Sequence, residues 1–326
     1  MDGKIAPYPL RFQPQFKERV WGARELERYG FAMPDGRIGE AWVMGEHPNG
    51  TTAVVGGPCD GMGLDAVRER FGAEWLGTRG ISAKTGRFPL LVKLLDCSDW
   101  LSVQVHPHDD DPRLGAGELG KTEMWYVLDA KPGAKIICGL RDGVNQAELA
   151  QAVADNRLLE CLREVDVVVG DTFYIPAGTV HALGAGVLVA EIQQNSDTTY
   201  RLYDFGRVGL DGLPRELHIE DSLRVISYDQ TSASYGKTPV SASNVWLELA
   251  RSEYFVVEKG CVEGIWALLT SSVSFQILLV CAGDGCVEWH GGSVPLSAGA
   301  CYLLPASLGA YSLKGSAMTV LRSYVP

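Results

Sequence analysis

Two histidines, one carboxylate and one amide are spaced along the sequence so that they could bind a metal ion. Gln104 and His106 lie two residues apart in an alternating run, so both side chains would share one face of a strand. Glu123 begins another apolar, β-prone run, and His181 follows a predicted turn. Such a set suits a borderline divalent cation, with zinc preferred and manganese, iron or cobalt as alternatives. The competing interpretation is that Gln104 and Glu123 are ordinary polar residues of a β-barrel and that the two histidines are unrelated.

The segment 170–181 would position the last of these ligands. Its Thr, Phe, Tyr and Ile residues predict a strand over 171–175. Pro176 restricts the φ angle and Gly178 allows a conformation that other residues avoid, so the turn can direct His181 inward. A single histidine after a turn is more often on the surface, and the upstream ligand candidates are what favour the inward position.

Four motifs resemble those of type I phosphomannose isomerases, and they occur in the order of that family. They are residues 101–107, 120–126, 175–182 and 197–204. The similarity extends over nearly the whole chain, and the spacing from Gly170 to His181 also resembles the second motif of the cupin superfamily. The resemblance implies a zinc-dependent enzyme of the short bacterial form. Such an enzyme interconverts mannose 6-phosphate and fructose 6-phosphate through an enediol or enediolate.

An aldose–ketose isomerisation moves a proton between neighbouring carbons, and the sequence offers two candidates for the proton carrier. Lys121 lies two residues before Glu123, on the same face if the segment is extended, and a nearby cation would lower its pKa. Glu191 lies on the strand predicted after the His181 turn. The family resemblance supports both positions equally, so the choice stays open.

Cationic side chains are expected to contact the anionic parts of the substrate. Arg201 matches the active-site arginine segment of the family, where a guanidinium would stabilise the enediolate or steer the ring-opening oxygen; a surface ion pair is the alternative. Lys93, Ser102 and Arg207 are the candidates for the substrate phosphate, of which Arg207 has the weakest support. Lys93 stands inside a β-prone run, either as an edge residue or pointing into the barrel, and the resemblance favours the second.

The composition is that of a globular protein with an acidic balance. The 326 residues include 21% charged and 46% hydrophobic side chains, and the formal net charge is −11. This charge argues against nucleic acid as a partner. A sugar phosphate can still bind if a few cations line the pocket, so the sequence predicts such cations. The oligomeric state is left open.

The sequence also bears on the location of the protein. Its start has no basic segment followed by an apolar run, and no stretch approaches about eighteen consecutive apolar residues. We therefore expect neither a secretory signal nor a membrane-spanning segment. The eight cysteines are scattered without a C-x-x-C pair, which favours free thiols in a reducing cytoplasm over disulfides or a thiolate metal site.

The predicted fold class is mainly β, a double cupin of two barrel-like halves with short helical insertions. A catalytic domain over 1–235 would hold the metal site, with a helical insertion around 145–163 for which Asn145 is a plausible N-cap. A second, cupin-like β domain would follow over 236–326. Apolar residues at helical spacing predict a further helix over 64–76.

The C-terminal part contains a second segment with the same glycine–proline spacing as the His181 segment. Residues 299–305 match 170–176 in spacing, with a glycine six residues before a proline in both. Ala310 stands where the first copy has His181, so the second half keeps the strand and turn without the ligand. His290 is accordingly predicted in a hairpin turn rather than at a metal.

Two other functions compete with the isomerase. Another metal-dependent cupin enzyme, such as a dioxygenase, would need open coordination positions on iron, which a ligand set of four side chains disfavours. A non-catalytic, sugar-binding or regulatory cupin would have no need to keep Lys121 and Arg201 beside the ligands. Ala310 indicates that the second half has lost its metal site, whereas the first half keeps the whole ligand set.

Overall fold

The computed structural model describes residues 5–229 and 233–326, and antiparallel strands are its main secondary structure. The first strands are β1 (Leu10–Gln13), β2 (Gln15–Ala23), β3 (Ile38–Met44), β4 (Glu46–His47), β5 (Gly50–Thr51), β6 (Ala53–Val55), β7 (Leu90–Asp96), β8 (Val103–Val105), β9 (Glu123–Ala130), β10 (Lys135–Leu140) and β11 (Leu162–Asp166). They are followed by β12 (Asp171–Ile175), β13 (His181–Leu183), β14 (Val187–Gln194), β15 (Tyr200–Tyr203), β16 (Ser234–Lys237), β17 (Leu247–Arg251), β18 (Val256–Leu269), β19 (Gln276–Ala282), β20 (Asp284–Trp289), β21 (Gly292–Ser297), β22 (Cys301–Leu304) and β23 (Ala310–Tyr324).

Helices are few and short in the described residues. They are α1 (Leu64–Leu76), α2 (Gln146–Ala154) and α3 (Ile219–Val225), with single 3₁₀ turns at Glu25–Tyr29, Gly57–Cys59, Leu158–Cys161 and Ala306–Leu308. The predicted helix over 64–76 is therefore confirmed, as is a helical insertion inside 145–163. None of these helices is long and apolar enough to cross a membrane.

Two sheets form the half of the molecule that carries the predicted ligands. One has seven strands in the order β16-β12-β9-β14-β7-β3-β2, and the other has five in the order β11-β10-β13-β8-β15. They share a core in which Trp125 and Phe173 of the larger sheet pack with Ile136 and Leu183 of the smaller one. This confirms the mainly β fold, and the ligands enter from strands of both sheets.

The C-terminal half is a nine-stranded sheet that also takes in strands from the beginning of the chain. Leu10 of β1 pairs with Leu303 of β22, and β6 continues the sheet beyond β1. A large apolar core joins the two halves, where the rings of Phe88 and Phe275 lie 4.5 Å apart. The division at 235/236 stays a prediction, and strands on both sides of it belong to one sheet.

The second barrel keeps the framework of the first without its ligand. Gly299 has a φ of 83° and Gly170 one of 89°, so both copies enter their strand through the same kind of turn. Ala310 is exposed at the start of β23. His290 lies in the two-residue turn between β20 and β21, where Trp289 pairs with Gly292, as the sequence predicted.

The N-cap of α2 supports a first prediction. The side-chain oxygen of Asn145 accepts a hydrogen bond from the backbone N–H of Glu148 at 3.0 Å. We expect Asn145→Ala to lower the free energy of unfolding by about 1 kcal/mol, because one N–H of the first turn loses its acceptor. Chemical denaturation would measure this, with the exposed neighbour Gln146→Ala as control. Equal stability of the two variants would contradict the assignment of the cap.

Candidate metal centre

Strands of both sheets bring the predicted ligands to one buried point. Gln104 lies on β8 opposite His181 at the start of β13, and Glu123 begins β9. The Nε2 atoms of His106 and His181 lie 3.5 and 3.3 Å from the two carboxylate oxygens of Glu123. The Gln104 amide is 3.2 Å from Nε2 of His181. His106, Glu123 and His181 are at most 1% exposed and form a group of suitable size for one metal ion.

The turn between β12 and β13 directs His181 inward. Gly178 has a φ of 83°, a conformation that glycine tolerates and other residues rarely adopt. A Cβ atom there would lie 3.0 Å from the carbonyl oxygen of Val225. The N–H of Gly178 donates to the carbonyl of His106 at 2.8 Å, so the turn is tied to the segment that carries another ligand. The predicted strand 171–175 and the inward histidine are both present.

Hydrogen bonds orient both imidazoles with Nε2 toward the centre. Nδ1 of His106 donates to the carbonyl of Thr198 at 2.9 Å, and Nδ1 of His181 donates to that of Thr179 at 2.8 Å. This fixes the tautomer that leaves a lone pair on each Nε2. Burial, and then the charge of Lys121, lower the pKa of His106 to about 3, and burial also lowers the pKa of His181. Both rings are therefore neutral, as metal binding requires.

Buried acceptors at this point are incompletely satisfied. Among the described residues, Nε2 of His106 and Oε1 of Glu123 have no hydrogen-bond donor, and Oε2 of Glu123 has only the ion pair with Nζ of Lys121. Such groups are costly to bury unless a cation compensates them. The amide of Gln104 can present its oxygen by a simple flip, since oxygen and nitrogen of an amide occupy equivalent positions. The donor set therefore fits a divalent ion.

A cavity of about 600 Å³ adjoins the centre at Gln104. Five of the other residues predicted for catalysis or substrate binding line it: Lys93, Ser102, Lys121, Glu191 and Arg201. Lys93 is only 4% exposed and points inward, as the family resemblance implied. Residues from both sheets thus meet in one chamber next to the metal group.

The two proton-carrier candidates have different surroundings. Nζ of Lys121 lies 2.9 Å from a carboxylate oxygen of Glu123. Burial lowers the pKa of Lys121, but the charges of Glu123 and then Glu191 outweigh it, so the pKa is raised above its usual value. A metal ion on Glu123 would oppose that effect. For Glu191, burial and then the charge of Glu123 raise the pKa, which brings the carboxyl closer to neutrality.

Glu191 is held on one side and free on the other. Its Oε2 accepts a hydrogen bond from Nε1 of Trp125 at 2.8 Å. Its Oε1 lies 3.4 Å from Nζ of Lys93 and has no hydrogen-bond partner. Lys93 is also 3.8 Å from a carboxylate oxygen of Glu40. One oxygen of Glu191 is thus oriented by the indole while the other remains available.

The two arginines of the sequence prediction differ in position. Arg201 on β15 lies opposite Gln104 and lines the cavity; Nη1 donates to the carbonyl of Glu216 at 2.7 Å, and its buried Nε has no partner. Arg207 does not line the cavity. Its guanidinium donates to Asp99 at 3.3 Å and to Asp204 at 2.8 Å. The structure therefore does not bring Arg207 to the substrate position predicted for it.

Glu40 and Arg215 line the cavity although neither was predicted from the sequence. Oε2 of Glu40 accepts from Nε1 of Trp42 at 2.8 Å, and its Oε1 accepts from Nε of Arg19 at 2.6 Å. Burial raises the pKa of Glu40, but the charges of Lys93 and Arg19 outweigh it and bring the pKa to about 2. No local motif marks Glu40 as a cavity residue, because its charged partners Arg19 and Lys93 lie on the neighbouring strands β2 and β7.

Family models, curated proteins and solved structures all relate this chain to the same family of proteins. The models of the type I phosphomannose isomerase catalytic domain and of the mannose-6-phosphate isomerase cupin domain match residues 10–136 and 247–325. Mannose-6-phosphate isomerase ManA of Bacillus subtilis is 38% identical over 318 residues, 96% of this chain and 98% of that protein. The Streptococcus mutans mannose-6-phosphate isomerase is 37% identical over 94% of this chain and 95% of that protein. The crystal structure of the Bacillus subtilis mannose 6-phosphate isomerase matches with a TM-score of 0.82 and 33% identity, covering 97% of this chain and 99% of that one.

Proposed function

This chain belongs to the type I phosphomannose isomerases, and from that premise we propose that it interconverts mannose 6-phosphate and fructose 6-phosphate at the centre described above. One observation carries the proposal. The buried group of His106, Glu123 and His181, whose acceptors are incompletely satisfied, adjoins a cavity lined by acids, bases and arginines. A binding protein would not require proton carriers there.

We propose zinc as the resident metal, bound by Gln104, His106, Glu123 and His181. The neutral amide of Gln104 fits an isomerase, because it leaves more positive charge on the ion than a second carboxylate would. When bound, the ion supplies a Lewis acid that stabilises negative charge on a substrate oxygen. The carbonyls of Thr179 and Thr198 keep both imidazoles oriented for it.

For the proton transfer we propose Glu191 as the carrier. Glu191 lines the cavity with its Oε1 beside Lys93, and its raised pKa brings it nearer to the range of a useful acid and base. Lys121, paired with Glu123, is then a positioning residue for that ligand. Arg201 would stabilise the negative charge of the enediolate, since it lines the cavity and no carboxylate of the described residues forms an ion pair with it.

Ser102 and Lys93, which the sequence suggested for the substrate phosphate, are our candidates for contacts with the hydroxyl oxygens of the substrate. Ser102 lies two residues before Gln104, so the two residues share one face of the chain where it is extended. Lys93 is balanced by the carboxylates of Glu40 and Glu191, so it is better suited to a hydroxyl than to a dianionic phosphate.

Removal and return of the metal tests the proposed function. We expect a coupled assay with mannose 6-phosphate to show turnover that falls to background after chelation and returns with zinc, because the ligand group would lose its cation. Metal content and circular dichroism should be recorded at each step, so that loss of fold is recognised. Folded, fully metallated protein that turned over no mannose 6-phosphate would refute the proposal.

We also propose a cytoplasmic location and no nucleic-acid partner. All eight cysteines are free and six of them are buried, which supports a reducing compartment. The net charge of −11 supports the second point, because a polyanion would be repelled.

A further inference from the structure

A hairpin from Asp204 to Arg215 borders the cavity. It follows β15 and is closed by a bridge between Val208 and Pro214, with the N–H of Gly209 donating to the carbonyl of Leu213 at 2.7 Å. Residues 209–211 at its tip and Arg215 at its end line the cavity. The hairpin therefore carries an arginine to the cavity that Ser102 and Arg201 also line.

The base of this hairpin is anchored. Phe205 has a φ of 56°, which is uncommon for a residue other than glycine, and its ring lies 5.0 Å from that of Tyr203 and 5.9 Å from that of Trp100. The preceding residue, Asp204, is only 5% exposed. These contacts fix the direction in which the hairpin leaves the sheet, so Arg215 has a defined position.

Asp204 orients two arginines that have different access to the cavity. It accepts a hydrogen bond from Nε of Arg215 at 2.7 Å and another from Nη2, and it accepts one from Nη2 of Arg207 at 2.8 Å. Burial raises the pKa of Asp204, but these hydrogen bonds outweigh it and lower the pKa below its usual value. The carboxylate thus stays charged and holds both guanidiniums, of which only that of Arg215 lines the cavity.

The distribution of charges makes the part of the cavity near Arg201 and Arg215 the most favourable for an anion. Arg215 shares the carboxylate of Asp204 with Arg207. The other cations of the wall apart from Arg201 also have carboxylates at 3.8 Å or less: Arg19 and Lys93 with Glu40, Lys93 also with Glu191, and Lys121 with Glu123. Arg201 has no such carboxylate among the described residues, and its pKa is lowered by burial and then by the charge of Arg215. Asp211 at the tip is the nearby acid, and its Oδ1 accepts from the N–H of Leu213 at 3.0 Å. Two guanidiniums that repel each other are stabilised by a shared dianion.

We propose that Arg215 binds the phosphate group of the substrate and that Asp204 is its positioning residue. This rests on the proposed function, since it assigns the phosphate end of the same cavity. Arg215 takes the place that the sequence suggested for Arg207. A guanidinium held by a carboxylate on one edge is preorganised, and it loses little conformational freedom when it binds a phosphate.

The experiment compares Arg215→Ala with Arg207→Ala, a matched control that removes the other arginine from the same carboxylate. We expect Arg215→Ala to raise KM for mannose 6-phosphate by about 10- to 100-fold and to weaken competitive inhibition by inorganic phosphate by a similar factor. The change in kcat should be smaller, because the lost contact is present in both ground and transition states. Arg207→Ala should change KM by less than about 3-fold, because the contacts it loses lie outside the cavity.

Two results would overturn the assignment. One is a KM of Arg215→Ala equal to that of the wild type. The other is a rise in KM that is equally large in Arg207→Ala, which would attribute the effect to the ion pairs of Asp204. If Arg215→Ala does not fold, Arg215→Lys keeps the charge without the planar fork, and a KM equal to that of the wild type would again refute the proposal. Wild-type turnover of mannose 6-phosphate is measured first. Its absence refutes the proposed function, whereas an active wild type with an unaffected Arg215 variant refutes this inference alone.

Discussion

Replacing His181 with alanine is expected to abolish both metal binding and isomerisation. His181 is fully buried, and its Nε2 faces Glu123 at 3.3 Å while Nδ1 is committed to the carbonyl of Thr179. Without it the ligand group loses one of its two imidazoles, and no other histidine of the described residues reaches that point. Loss of several kcal/mol of charge stabilisation corresponds to a fall in kcat/KM on the order of a thousandfold or more.

The second barrel provides the control for this variant. His290 lies in the turn between β20 and β21, remote from the metal group, so His290→Ala should keep full activity and metal content. Metal content after gel filtration and activity in the coupled assay are the two readouts. If His181→Ala retained a full equivalent of zinc together with activity, the proposed metal centre would be wrong.

The second large effect is expected for Glu191→Gln. The amide keeps the shape of the carboxylate and an acceptor for Nε1 of Trp125, but it cannot carry a proton. We expect kcat to fall by about 10²- to 10⁴-fold while metal content is unchanged, because Glu191 is not among the ligands. Exchange of the transferred hydrogen with solvent, followed in deuterated water, should fall with kcat.

Two further variants separate this role from neighbouring ones. Glu40→Gln removes the other carboxylate beside Lys93 and should lower kcat by less than about tenfold, since Glu40 positions a cation and transfers no proton. Lys121→Met should weaken metal binding, because Glu123 would lose the ammonium that positions its carboxylate as a ligand. Should Glu191→Gln keep its kcat while Lys121→Met loses it at full metal content, Lys121 would be the proton carrier.

The sequence by itself determined the metal group and the plan of the fold. Gln104 and His106 are two residues apart, and alternation in an extended chain predicts that they share one face, although β8 itself ends at Val105. The turn before His181 depends on Pro176 and Gly178, whose backbone preferences are local. The cap of α2 at Asn145 is local as well. Such features follow from short-range sterics, so they can be predicted without knowledge of the rest of the chain.

Only the tertiary structure decided which charged groups meet. Arg207 and Arg215 both follow β15 and belong to the same hairpin. The path of that hairpin determines that Arg215 lines the cavity while Arg207 is bound outside it. Glu40 reaches Lys93 across neighbouring strands, and His106 is oriented by the carbonyl of Thr198, 92 residues away. Ion pairs and hydrogen bonds of this kind depend on strand register and on the direction of each side chain in space. Those are set by how the sheets pack, because burial of the shared apolar cores selects one register among many that the local sequence would allow.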